Sequence, residues 1–137
     1  MALTADSIIL PQTPFSRTAV MTAAETAFNA PTNAVDLLLA ADNVNGARVS
    51  LVYAIPRAAI GTANHCQLYK RQGSTYTLIK SALMATVTPS ASVAPSPTDF
   101  GYSEDAPLIL EAGVGLAVAN GQAIANGVAV FAQGALY

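Results

Sequence analysis

The fold is decided by the stretch Arg48-Val-Ser-Leu-Val-Tyr-Ala-Ile55, in which successive side chains alternate between two faces. The alternation predicts that one face carries Val49, Leu51, Tyr53 and Ile55. A period of two is typical of a β-strand, and Pro56 ends the strand because proline cannot donate to a ladder. Just before it, Asn45-Gly46 predicts a tight hairpin turn from an earlier strand that runs from Val35 to Ala41.

Further strands follow along the chain. A second hairpin is predicted from Cys66 to Leu83 around Gly73. Its alternation fails at Leu78-Ile79, which indicates either a bulge or a strand buried on both sides. The proline-containing segment 86–97 is a long connection, and short strands are expected at 108–111, 114–119 and 128–136. Regular strands separated by turn residues predict an all-β fold, an antiparallel β-sandwich and within that class a jelly roll of about eight strands.

The first part of the chain has a different pattern. The prolines at 11 and 14 favour extended backbone, so residues 1–16 are predicted to form an extended N-terminal arm. Residues 17–28 fit either a strand or a short helix, and a strand is preferred because it completes the sandwich. Residues 17–137 are then one β-sandwich domain, and a length of 137 residues suits a single domain.

The alternation also predicts which side chains fill the interior of the sandwich. The predicted core consists of Leu37, Leu39, Val49, Leu51, Ile55, Leu68, Leu78, Leu116, Val118, Val128 and Val130.

The low content of charged residues indicates which kinds of partner to expect. Charged residues make up 10% of the chain and hydrophobic residues 53%, whereas soluble domains carry about 25% charged residues. A surface so poor in charge is expected to be covered, which favours a homo-oligomer. The six basic residues are scattered, so a nucleic-acid partner is not expected. No apolar run approaches the length of a membrane helix, and the N-terminus lacks the pattern of a secretory signal, so a membrane partner is not expected either.

The sequence shows few arrangements of reactive residues. His65 and Cys66 are adjacent, so on a strand they point to opposite faces and cannot act on each other. The chain has one histidine and one cysteine, and its carboxylates do not follow a known metal-binding spacing. We therefore expect no catalytic residues, no cofactor and no metal, and a protein that is not an enzyme.

Several segments together resemble the small head decoration (cement) proteins of tailed bacteriophages. They are Ala34 to Asp42, Asn45 to Ala54, Gln67 to Lys70 with Gly73, Leu78-Ile79, and Gly127 to Tyr137. The resemblance implies a virion protein on the capsid surface, made in the host cytoplasm, that assembles as a trimer. It also implies that the protein binds the major capsid protein and bridges its subunits. The expected interface residues are Ile8, Ile9, Leu10, Pro11, Phe15, Phe100, Tyr102 and Tyr137.

Two alternatives remain open. A carbohydrate- or receptor-binding module of a tail fibre or spike would bind ligand through Tyr76, Phe100 and Tyr102, with Asp99 and Asn64 as hydrogen-bonding partners. The other alternative is a structural subunit of the tail or neck, which composition does not distinguish from a head protein.

Overall fold

A computed structural model describes residues 10–137. Within that range the chain forms nine strands and one 3₁₀ turn, Ala40–Asp42, and no α-helix. The strands are β1 Thr13–Met21, β2 Val35–Leu38, β3 Ala47–Pro56, β4 Asn64–Gln72, β5 Thr75–Met84, β6 Thr98–Asp99, β7 Leu108–Leu110, β8 Gly115–Asn120 and β9 Val128–Leu136.

The strands form two antiparallel sheets. The larger sheet has the order β1-β9-β3-β6, with β7 also paired to β3, and the smaller sheet has the order β2-β8-β4-β5. Buried side chains from both sheets form one continuous core that includes Val52, Leu68, Leu116 and Val130. The predicted antiparallel β-sandwich is confirmed.

A β-bulge in β3 overturns part of the predicted core. Val49 pairs with Gly134 and Leu51 with Gln133, so Ser50 is an extra residue between them. One extra residue reverses the faces of every side chain that follows. Leu51, Tyr53 and Ile55 therefore point away from the core, while Val52 and Ala54 point into it and are fully buried. The prediction that Leu51 and Ile55 are core residues is wrong for this reason.

Two other predicted core residues also lie elsewhere. A second bulge, at Leu37 in β2, leaves Leu37 and Leu38 both buried, and the chain then turns at the 3₁₀ segment, so Leu39 is 51% exposed. Leu78 is half-buried and packs on the outer face of the smaller sheet. The remaining predicted core residues are buried as expected: Leu37, Val49, Leu68, Leu116, Val118, Val128 and Val130.

The turn predictions had mixed outcomes. β2 and β3 lie in different sheets, so Asn45-Gly46 does not close a hairpin between them. Gly46 nevertheless has a φ of +111°, a conformation that favours glycine. The β4–β5 hairpin is confirmed. Of the two alternatives at Leu78-Ile79 the structure has the bulge, since Lys80 pairs with Leu68 and Leu78 with Tyr69 while Ile79 is left over.

The sheet begins earlier in the chain than the predicted arm boundary. Thr13 pairs with Leu136, so residues 13–16 belong to β1 rather than to an arm. Residues 17–21 are strand, as preferred, and the rest of the ambiguous 17–28 segment is a loop. Residues 1–9 lie outside the described residues, so of the expected arm only residues 10–12 are seen apart from the sheet.

Candidate functional site

The structure does not bring the expected interface residues together. Ile8 and Ile9 lie outside the described residues, and Leu10 and Pro11 are exposed just before β1. The other expected residues belong to different parts of the sandwich, and two of them belong to its core.

Phe15 and Phe100 are 7% and 2% exposed and pack in the core. This corrects the expectation of a surface role, because both side chains are already covered by their own chain. Both lie opposite inward-facing positions of the larger sheet: Phe15 pairs with Gly134, and the Phe100 amide donates to the Val52 carbonyl.

Tyr102 and Tyr137 are half-buried. The Lys80 ammonium lies 5.4 Å from the centre of the Tyr102 ring, and burial raises the pKa of the Tyr102 phenol. The amide of Tyr137 donates to the Gly46 carbonyl at 3.0 Å. Both tyrosines therefore have contacts within the chain, and their remaining surface is small.

The residues of the alternative ligand site are also dispersed. Asn64 is fully buried and donates to the Asn120 side chain at 2.9 Å, so it is not available to a ligand. Tyr76 pairs with Arg71 near the turn of the β4–β5 hairpin, whereas Asn64 pairs with Met84 at its opposite end. Asp99 is exposed and accepts from the Gly101 amide. The geometry does not assemble the sugar-binding arrangement that the sequence allowed.

The side chains of Cys66 and His65, which could be reactive, are both packed against other residues of the sandwich. Burial raises the pKa of the Cys66 thiol to about 12, while His65 on the opposite face packs edge-on against Phe28 with ring centres 5.5 Å apart. Within residues 10–137, no three His, Cys, Asp or Glu side chains are placed so that they could hold a metal ion. The same residues include no apolar helix of membrane-spanning length.

Two clefts at the surface of the described residues are shallow. One of about 440 Å³ lies between the β3–β4 and β8–β9 loops and is lined by small uncharged residues such as Ala59, Thr62 and Ala123. Another, of about 390 Å³, contains the Arg71–Asp36 ion pair, in which both carboxylate oxygens accept from Nη1. The first cleft has no charged side chain in its lining, and in the second the charged groups are paired with each other.

The most distinctive surface is the outer face of the larger sheet, named here the open face. The bulge in β3 turns large apolar side chains outward, and they join similar ones from neighbouring strands. Its apolar members are Val20, Leu51, Tyr53, Ile55, Ile109 and Phe131.

Side chains on the open face contact one another across strands and remain accessible to solvent. The Tyr53 and Phe131 rings lie 5.3 Å apart, while Ile109 is 55% exposed and Val20 36%. At one corner of the open face, a loop contacts the sheet: Arg48 donates to the Glu104 carbonyl and lies near the Glu104 carboxylate. The open face is therefore an apolar sheet surface that the described residues leave partly accessible to solvent.

The outer face of the smaller sheet, named here the covered face, is treated differently. It is centred on Tyr69, Ala117 and Ala119, which are at most 1% exposed because the segment 22–34 of the same chain lies over them. Within residues 10–137, the chain covers one outer face itself and leaves the other partly accessible to solvent.

Glu25 fixes the covering segment. Its carboxylate accepts from the backbone amides of Ala27 at 2.8 Å, Thr32 at 2.7 Å and Asn33 at 2.9 Å. These donors, Asn33 first among them, outweigh burial and lower the pKa of Glu25. Glu25 was not among the residues that the sequence pattern singled out. The cluster of turn-forming residues at 29–33 was the signal that the segment folds back.

A polar network anchors the same segment to the sheet. The Gln67 side-chain amide donates to the Glu25 carbonyl at 3.1 Å and accepts from the Tyr69 hydroxyl. The Asn120 side chain donates to the Met21 carbonyl at 2.8 Å. Burial, and then the charge of Glu25, raise the pKa of Tyr69 to about 12.

No protein-family model and no curated protein matches this chain.

Proposed function

We propose that this protein is a structural subunit of a larger assembly, a head decoration protein that binds the major capsid protein of a tailed bacteriophage and stabilises the capsid. The open face is the observation that carries this proposal. Val20 and Ile109 are exposed on this face, and Leu51, Tyr53, Ile55 and Phe131 are only partly buried. A subunit gains free energy when a partner covers such apolar surface, whereas a diffusing monomer does not.

The use made of the charged groups supports a structural role. The Glu25 carboxylate holds backbone amides, Asp36 pairs with Arg71 at 2.6 Å, and Glu111 pairs with Lys70 at 2.7 Å. Each of these carboxylates has a partner that fixes a loop or a strand end. The proposal therefore assigns the protein no catalytic activity.

The strand order supports the finer description of the sandwich as a jelly roll. If β6 and β7 are counted as one interrupted strand, eight strands form two four-stranded sheets with long crossings between them. Such a double-sheet arrangement is common in capsid proteins, but it also occurs in lectins, so it does not by itself assign a function.

The resemblance implies a trimer on the virion surface.

The N-terminal segment is the proposed anchor to the capsid. Leu10 is 62% exposed, and the Gln12 amide donates to the Leu136 carbonyl at 2.8 Å. Removal of residues 2–11 would leave β1 and this hydrogen bond in place. We expect that variant to fold and to bind capsids more weakly than the full chain.

The proposal is tested by mass spectrometry of purified particles, with the copy number measured against the major capsid protein and the location determined by labelling. Many copies on the head, with particles lacking the protein releasing DNA at lower temperature, are expected. Labelling of the tail or neck would support the tail subunit instead. Labelling of fibres together with glycan binding by the purified protein would support the receptor-binding module.

A further inference from the structure

The open face has an arrangement of charge that fits a second copy of itself. In the described chain, two of its outward strand residues are formally charged: Arg48, near the end of the sheet where β1 begins, and Asp99, beside Tyr53 toward the other end. We infer that two copies pack open face against open face, with one copy turned end for end. This deepens the proposed function, on which it rests, by naming the partner that covers the open face.

The two charges lie on the same flank of the face. Arg48 is on β3 and Asp99 is on β6, the neighbouring strand. A half-turn about an axis in the plane of the sheet and across the strands exchanges the two ends and keeps the flank. Each Arg48 then lies about one strand spacing from the Asp99 of the other copy, so the interface brings together two opposite-charge pairs, with the Glu104 carboxylate beside each Arg48 at the same corner.

Both charged groups retain capacity for such a contact. Arg48 donates to Glu104 through Nη2, and within residues 10–137 the other guanidinium N–H groups of Arg48 donate to no protein group. Asp99 accepts from the Gly101 amide through Oδ1, which leaves Oδ2 for a partner.

The side chains between the charges are also self-complementary. The row formed by Leu51 and Gln133 lies between those of Arg48 and Tyr53, so it falls near the axis and meets itself. A glutamine amide both donates and accepts, and it can therefore pair with its own copy. On the same strand, Phe131 and Ala135 lie two residues to either side of Gln133, so the half-turn sets a large ring against a small side chain.

A charge-reversal experiment tests the orientation. Arg48→Glu alone and Asp99→Lys alone each create two like-charge contacts in the pair, and each is expected to raise the dissociation constant about tenfold or more. In an equimolar mixture, a copy with Arg48→Glu and a copy with Asp99→Lys place opposite charges together at both contacts. Sedimentation velocity is expected to show the wild-type species restored in the mixture and in the double variant.

The wild-type protein is expected to form a dimer at about 100 µM, or a hexamer if a separate interface forms the trimer that the resemblance implies. A monomer or an isolated trimer at that concentration would overturn the pairing. A mixture that associates no better than its two components would overturn the end-for-end orientation. Particles that carry the protein although it is monomeric in solution would leave the proposed function standing and reject this inference alone.

A second pair of variants tests the surface. Leu51→Glu puts two carboxylates near the axis and is expected to abolish self-association, with circular dichroism at low concentration confirming that the chain folds. Leu83→Glu is the matched control, because Leu83 is 69% exposed on the other sheet. Equal loss of association in both variants would show that the open face is not the contact.

Discussion

The two outer faces of the sandwich differ in whether another segment of the described chain covers them. On the covered face, Tyr69 is fully buried although it points away from the core, because the segment 22–34 folds back over it. On the open face, Tyr53 occupies a comparable outward position and remains half-exposed beside Phe131. The same kind of side chain is therefore an internal residue on one sheet and a surface residue on the other.

The outward-facing residues of a β-sandwich are ordinarily polar, whereas both outer faces of this sandwich carry apolar side chains in addition to the shared core. Covering the outer face of the smaller sheet takes about a dozen residues and a buried carboxylate, Glu25, that satisfies three backbone amides. The chain provides no equivalent segment for the larger sheet within residues 10–137. In the assembly proposed here, a partner does for the open face what residues 22–34 do for the covered face.

The largest expected effect comes from the shared core. Leu68 is fully buried between the two sheets, so Leu68→Ala should lower the free energy of unfolding by about 2–5 kcal/mol. Leu51→Ala, on the open face, should cost about 1 kcal/mol in the dilute protein because its side chain is already half in water. Urea unfolding at low micromolar concentration measures both values, and equal losses would show that the β3 bulge is placed wrongly.

The next largest effect is expected from a substitution that releases the segment 22–34 from the covered face. Glu25→Ala leaves the amides of Ala27, Thr32 and Asn33 without their acceptor, and we expect a loss of about 2–3 kcal/mol. Limited proteolysis should then cut within residues 22–34. Glu111→Ala is the control, because Glu111 lies in an exposed ion pair with Lys70 and its removal should change the unfolding midpoint little. A variant at Glu25 as stable as the control would mean that the covering segment is held by other contacts.

Acid should release the same segment. The pKa of Glu25 is lowered below its ordinary value of 4.5 in the folded chain. Its contribution to stability is therefore complete above pH 4.5 and is lost as the pH falls through the folded pKa. Urea midpoints measured at pH 7, 5 and 3 should fall less steeply for Glu25→Gln than for the wild type. Parallel curves would show that Glu25 does not contribute to acid unfolding.

The strands themselves were predictable because alternation and turn residues are local properties. The β4–β5 hairpin and its bulge at Ile79 followed from the sequence, as did the burial of Leu68, Leu116 and Val130. The connection between β2 and β3 did not, because Asn45-Gly46 favours a turn but does not determine which strands pair.

The open face was not predictable, because it depends on one residue of register. The alternation in β3 is regular in the sequence, and only the pairing with β9 shows that Ser50 is extra. A signal existed at Gly134, opposite the bulge, since glycine within a strand marks a bulge or a close backbone approach. An added Cβ there would overlap the Arg48 carbonyl oxygen, so no larger residue fits without a shift.

The smallest expected effect tests whether the bulge determines which residues form the open face. If Ser50 is the extra residue, its deletion joins Val49 directly to Leu51 and restores strict alternation without moving any other side chain to the opposite face. The deletion should therefore preserve the fold and cost about 1 kcal/mol or less, since it removes only the Ser50 hydroxyl bond to the Gln133 carbonyl at 3.3 Å. Deletion of Ala54 is the matched control, because it would turn Ile55 inward and shift the remaining register of β3 against Val130. Thermal unfolding followed by circular dichroism should show the first variant close to the wild type and the second far below it. The reverse order would mean that Leu51, Tyr53 and Ile55 face the core, and the contrast between the two outer faces would then disappear.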